Sequence, residues 1–249
     1  MARRFPVLTA VVSTVAVAAA VTQYAATSAV PALERDLDGL LRGEWWRLVT
    51  PLLVQTLGWH QVAANLVTLA LLGLIAEWLV GRWRWWVLFA AGTVGGQLAA
   101  YAMREPGGGD SIAICGLAGG VAVALLVGRW PAPPWFAHAV MLYVAALAGW
   151  GIGGVIAAAL VTLCAAVALV GLRLAGVRTT ERIALTGAIL VAAVMAASWD
   201  LHGVAFLSGA AAMVAMLVLD QLICGATGPS TSPDSPGAPH SRSGRPGRR

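Results

Sequence analysis

Residues 58–80, GWHQVAANLVTLALLGLIAEWLV, decide the class of fold. Glu77 is the one acidic or basic residue among them apart from His60. As a helix rising about 1.5 Å per residue, such a run crosses the roughly 30 Å hydrocarbon core of a bilayer. Gln61 and Asn65 lie four apart, so they share one face of that helix at membrane depth. Polar side chains there are expensive, and each is a candidate functional group.

Similar apolar runs recur on both sides of this segment. Hydrophobic residues make up 59% of the chain and charged residues 11%, against about 25% charged in ordinary soluble domains. The reading is an all-α, polytopic transmembrane bundle with spans at about 6–29, 58–80, 85–103, 112–128, 135–151, 154–174, 183–198 and 201–223. A single helix over 135–174 would be about 60 Å long, twice the hydrocarbon thickness, so a break is expected in the GIGG sequence at 151–154. Arg3 and Arg4 precede an apolar stretch too long for a signal-peptide core, which implies a retained first span.

Charge placement orients the bundle. With a cytoplasmic N-terminus, the inner segments carry Arg82, Arg84, Arg129, Arg173, Arg178 and Arg182, while Glu34, Asp36, Asp38, Glu44, Glu105, Asp110 and Asp200 fall outside. Eight spans return the C-terminus to the cytoplasm. The transmembrane domain then covers 1–224, and the Pro/Ser/Gly/Arg-rich stretch 225–249 reads as a disordered cytoplasmic tail. Residues 31–57 form a long external loop whose aromatic and charged residues suit the membrane interface. All basic residues are arginine, which fits the codon usage of a GC-rich bacterium and hence a bacterial cell membrane. The positive charge gathers at span ends and in the tail, and does not indicate nucleic-acid binding.

Four residues carry candidate chemistry at one depth. Cys115 falls in the first turn of the fourth span, where a helix N-terminus favours a thiolate. His202 opens the last span, with Ala205 and Gly209 as a helix-packing face. Asn65 and Gln61 could aim amide N–H groups at a developing oxyanion, or could simply hydrogen-bond neighbouring helices. A buried cysteine is also often no more than a small hydrophobe.

Around these residues the chain resembles the rhomboid family of intramembrane serine proteases. Trp46–Arg47 in GEWWRLVTPLL stands in the expected external loop. Asn65 takes the asparagine position of the second span, followed by Gly73, Glu77 and Gly81 at familiar spacings. Cys115–Gly116 stands where the family's Gly-x-Ser-Gly motif has Ser-Gly, and His202 looks like the dyad histidine. The resemblance runs over about 43–128 and returns at 199–220. Its departures are Cys115 for serine, Ala113 for the first motif glycine, Gln61 for the second-span histidine, and Gly119 for an aromatic residue. Two extra helices also separate the dyad, and GWGIGG at 149–154 imitates the family's sixth span without its histidine.

The resemblance implies an endopeptidase that cuts transmembrane substrates near the outer leaflet. Cys115 would be the nucleophile, His202 the base, and Asn65 with Gln61 the oxyanion donors. The alternatives are an inactive relative that binds or escorts membrane proteins, and a structural membrane protein whose motifs serve helix packing. No metal, nucleotide or organic cofactor is indicated, and the partners expected are transmembrane proteins and lipid.

Overall fold

A computed structural model describes residues 5–226. Arg3, Arg4 and the tail from 227 onward, with His240, lie outside the described residues. The architecture is all helical. The long helices are α1 (Val7–Ala25), then, after two short helices α2 (Ala29–Leu33) and α3 (Leu37–Leu41), α4 (Trp59–Val80), α5 (Arg82–Ala102), α6 (Ser111–Val127), α7 (Trp135–Leu174), α8 (Thr180–Ala197) and α9 (Leu201–Ala226). Five of them are long and apolar enough to cross a membrane.

The expected break in α7 falls at Gly153 and Gly154. Gly154 has φ 66° and ψ −151°, a conformation that side chains with a Cβ rarely adopt. The chain reverses there. A Cβ on Gly149 would meet Ala158 Cα at 2.6 Å, so the halves 135–152 and 155–174 pack antiparallel. Counting them separately, the described residues hold eight long helical rods.

α6 is the central rod, with every residue from Ser111 to Ala122 buried. Glycines bring its backbone against both neighbours. A Cβ on Gly92 of α5 would lie 2.6 Å from Gly116 Cα, and one on Gly209 of α9 would meet the same atom at 2.6 Å. Without a hydrophobic driving force between helices in lipid, such close approach and dispersion contact hold the bundle. Ile112 follows the same logic: its side chain fills the space left by Gly96, where a Cβ would stand 2.6 Å from Ile112 Cβ.

Two buried polar devices attach the periphery. Arg47, only 6% exposed, donates to Pro31 O, Glu34 O and Glu44, and Tyr101 Oη donates to Arg47 O at 2.6 Å. The Arg47 side chain ties the external loop to itself, and the Tyr101 bond fixes that loop to the C-terminal end of α5. The loop leaves Trp45 and Trp46 exposed, as suits side chains at a lipid–water boundary. At the other end, the Glu77 carboxylate accepts from Leu8 N (3.1 Å), Thr9 N (2.9 Å) and Thr9 Oγ1 (3.0 Å), capping α1 from α4. Arg82 pairs with it at 3.4 Å. Exchange of Glu77 for Ala leaves those amides unpaired, and is expected to lower stability by about 2 kcal/mol. Thermal unfolding in detergent measures that loss.

Candidate active site

The site forms where α6 begins. Three glycines, Gly107–Gly109, carry the chain from α5 into α6, and Gly109 has φ +142°. A Cβ there would lie 2.5 Å from Gln61 Nε2 and 3.1 Å from Gln55 Oε1, so only glycine lets the loop pass this close to α4. Asp110 precedes the helix, and Ser111 is its first residue. The first bond of the helix runs from Ile114 N to Asp110 O. The amides of Ser111, Ile112 and Ala113 therefore precede any intrahelical partner and form a positive helix terminus beside the serine hydroxyl.

His202 reaches this point from the start of α9. Its Nε2 lies 3.1 Å from Ser111 Oγ, and its Nδ1 lies 3.1 Å from Asp200 Oδ1. Asp200 Oδ1 also accepts from the His202 backbone N–H at 2.7 Å. Nδ1–H donating to the carboxylate leaves the Nε2 lone pair to accept from Ser111. Burial pushes the Asp200 carboxyl up, but hydrogen bonds from the His202 ring and from the His202 and Gly203 amides outweigh it and hold it below its ordinary value. The result is a Ser–His–Asp chain with its acid in the turn between α8 and α9.

The structure brings Ser111, and not Cys115, to His202. Cys115 lies one turn deeper in α6, fully buried, with its Sγ 3.4 Å from Tyr143 Oη. Tyr143 Oη in turn donates to Ser111 O at 3.1 Å. The Cys115/His202 pairing expected from the sequence is thereby replaced by Ser111/His202. The signal was present in Gly109–Asp110–Ser111, which is Gly-x-Ser. Read in that register, Cys115 falls four residues after the serine, at the family's aromatic position, and Ile112 takes the place of the second motif glycine.

Gln61 and Asn65 do face this region; Asn65 has both amide hydrogens engaged, and Gln61 has one. Gln61 Nε2 donates to Gly108 O at 2.9 Å, and Leu57 N donates to Gln61 Oε1 at 2.8 Å. Asn65 Nδ2 donates to Gln55 Oε1 (2.8 Å) and Asp110 Oδ1 (2.9 Å). Gln55 Nε2 also donates to Asp110 Oδ1, at 2.9 Å. Gln55, Asp110 and Asp200 are contributors that sequence reasoning passed over.

Ser111 and His202 open onto a largely apolar cavity of about 740 Å³. α4 supplies one wall through His60, Gln61 and Asn65, and the second half of α7 supplies the other through Ala158, Thr162 and Ala166. Within its lining, His60 and Trp150 have ring centroids 5.4 Å apart. Among the described residues no three His, Cys, Asp or Glu side chains gather as a metal site.

A family model described as the Rhomboid domain matches residues 42–171, just over half of the 249-residue chain. No curated protein and no solved structure matches the chain. The match takes in the external loop from Arg42 onward, Gln61, Asn65 and Ser111, while His202 lies beyond it, on the helix that the fold brings back to α6. This chain is a member of the rhomboid family of integral membrane proteins.

Proposed function

We propose that this protein is an intramembrane serine endopeptidase with a Ser111/His202 dyad oriented by Asp200, acting on transmembrane proteins near the outer leaflet. The observation that carries this reading is the 3.1 Å contact between Ser111 Oγ and His202 Nε2, which lies within the reach required of a nucleophile and its base. Ser111 Oγ attacks the scissile carbonyl as its proton passes to His202 Nε2. The oxyanion that forms faces the amides at the start of α6 and the side chain of Gln61. His202 then protonates the leaving amine, and a water activated by the same nitrogen hydrolyses the ester on Ser111. The gap between α4 and the second half of α7 supports entry of the substrate from the lipid.

The reading is tested by exposing the detergent-purified protein to a fluorophosphonate and mapping the adduct by mass spectrometry. Labelling is expected on Ser111 and is lost in His202→Ala. A folded wild-type protein that takes no label supports the alternative, an inactive relative that binds or escorts membrane proteins. One observation favours that alternative: both N–H groups of Asn65 are already bonded within the protein. Asp200→Asn provides a second check, because a neutral amide can present an N–H to Nδ1 and no longer offers the charge that holds the histidine tautomer and stabilises the imidazolium. Its kcat is expected to fall on the order of 10²-fold, less than for a fully buried triad acid since Asp200 is partly solvated. Equal peptide turnover by wild type and Asp200→Asn would remove Asp200 from the mechanism.

A further inference from the structure

Asp110 is the most unusual group near the site. It immediately precedes Ser111, is only 3% exposed, and bonds through one oxygen. Oδ1 accepts from both Gln55 Nε2 and Asn65 Nδ2, while Oδ2 has no hydrogen-bond partner. Gln55, Asn65 and Asp110 thus close a ring, with Asn65 Nδ2 donating its other hydrogen to Gln55 Oε1 at 2.8 Å.

The hydrogen count decides what each amide can still do. A carboxamide nitrogen carries two N–H groups. Those of Asn65 go to Gln55 and Asp110, so neither remains for a substrate oxyanion. Gln61 differs. Its Nε2 makes one bond, to Gly108 O at 2.9 Å, and it lines the cavity beside Ser111. One N–H of Gln61 therefore has no partner among the described residues, on a side chain that lines the same cavity as Ser111.

We propose that Asp110 is a positioning residue that withdraws the Asn65 amide from the oxyanion site and leaves Gln61 as its side-chain donor. The proposal rests on the serine-peptidase reading above. The device works by competition: the acceptor on Asp110 belongs to the chain itself, so Asn65 can turn to a substrate oxygen only by breaking a buried bond. An asparagine at position 110 preserves a carbonyl acceptor, whereas an alanine does not.

The experiment measures kcat and KM on a quenched transmembrane peptide for Asn65→Ala and Gln61→Ala, each in the wild-type, Asp110→Asn and Asp110→Ala backgrounds. Thermal unfolding of every variant and a Ser111→Ala control accompany the kinetics. In the wild-type background, Gln61→Ala is expected to lower kcat about 10²-fold, the value of one oxyanion donor, while Asn65→Ala leaves it within about threefold. Asp110→Ala frees Asn65, so kcat rises about tenfold and now depends on Asn65 by at least about tenfold. Asp110→Asn behaves as wild type. A ring that merely braces the fold would shift unfolding temperatures but would not create this dependence on Asn65.

Asn65→Ala lowering kcat equally in the wild-type and Asp110→Ala backgrounds overturns the proposal, as does a loss larger than that from Gln61→Ala. Should Asp110→Ala fail to fold, the Gln61 and Asn65 variants in the other two backgrounds still decide. Cleavage that is lost in Ser111→Ala but requires Asn65 defeats this inference alone. Cleavage that persists in Ser111→Ala, or is absent from every folded variant including Asp110→Ala, defeats it together with the peptidase reading.

Discussion

Replacing Ser111 by alanine is expected to lower kcat on a transmembrane peptide by at least about 10⁴-fold, whereas Cys115→Ala retains most of the activity. The difference follows from which atom meets the base. Ser111 Oγ touches His202 Nε2, but the Cys115 thiol is fully buried a turn below and bonds to Tyr143. A nucleophile needs a partner to take its proton and a path to the substrate carbonyl, and the thiol has neither. Loss of its packing is expected to destabilise Cys115→Ala by only about 1 kcal/mol. The reverse outcome, with activity surviving in Ser111→Ala and vanishing in Cys115→Ala, would restore the thiol mechanism. Quenched-peptide kinetics on both purified variants supply the measurement.

Gly209→Val is expected to abolish the folded bundle. A Cβ at position 209 would stand 2.6 Å from Gly116 Cα, against the backbone of the central helix. Backbone cannot move aside as a flexible side chain can, so α9 must shift or separate from α6. Overpacking of this kind is expected to destabilise by more than about 3 kcal/mol, beyond the usual range for an added methylene. His202 lies on the same helix, so labelling of Ser111 fails along with the fold. Gly171→Ala is the matched control: nothing lies within 4 Å of its Cβ position, and its unfolding temperature should match the wild type. Size-exclusion profiles and thermal unfolding in detergent compare the two. A folded, normally stable Gly209→Val would show that the α6–α9 contact is looser than these glycines imply.

Glycine contacts of this sort also explain which parts of the site are legible in the chain and which are not. Helical class follows from apolar runs that exceed the membrane thickness. The turn at Gly153–Gly154 follows from a helix too long for the bilayer joined to a sequence that permits positive φ. The common depth of Gln61, Asn65 and His202 follows from their places near the starts of spans that run the same way. Packing has little influence on any of these features, because local chain chemistry and the slab geometry of lipid determine them.

The identity of the nucleophile is a different matter. Ser111 and Cys115 are four residues apart on one face of α6, so periodicity treats them alike, and they differ by about 6 Å in depth. Only the vertical offset between α6 and α9 chooses between them. Gly116 against Gly209, and Gly119 against the Phe206 backbone, fix that offset and bring the His202 ring to the level of Ser111. The hydrogen-bond ring of Gln55, Asn65 and Asp110 is likewise assembled from the loop before α4, from α4 itself and from the loop before α6. Apolar run length and residue spacing thus specify a bilayer-spanning helical scaffold with polar groups at one level. Tertiary structure alone decided which of them touch, because contact between helices depends on their relative translation, a quantity absent from the periodicity of either one.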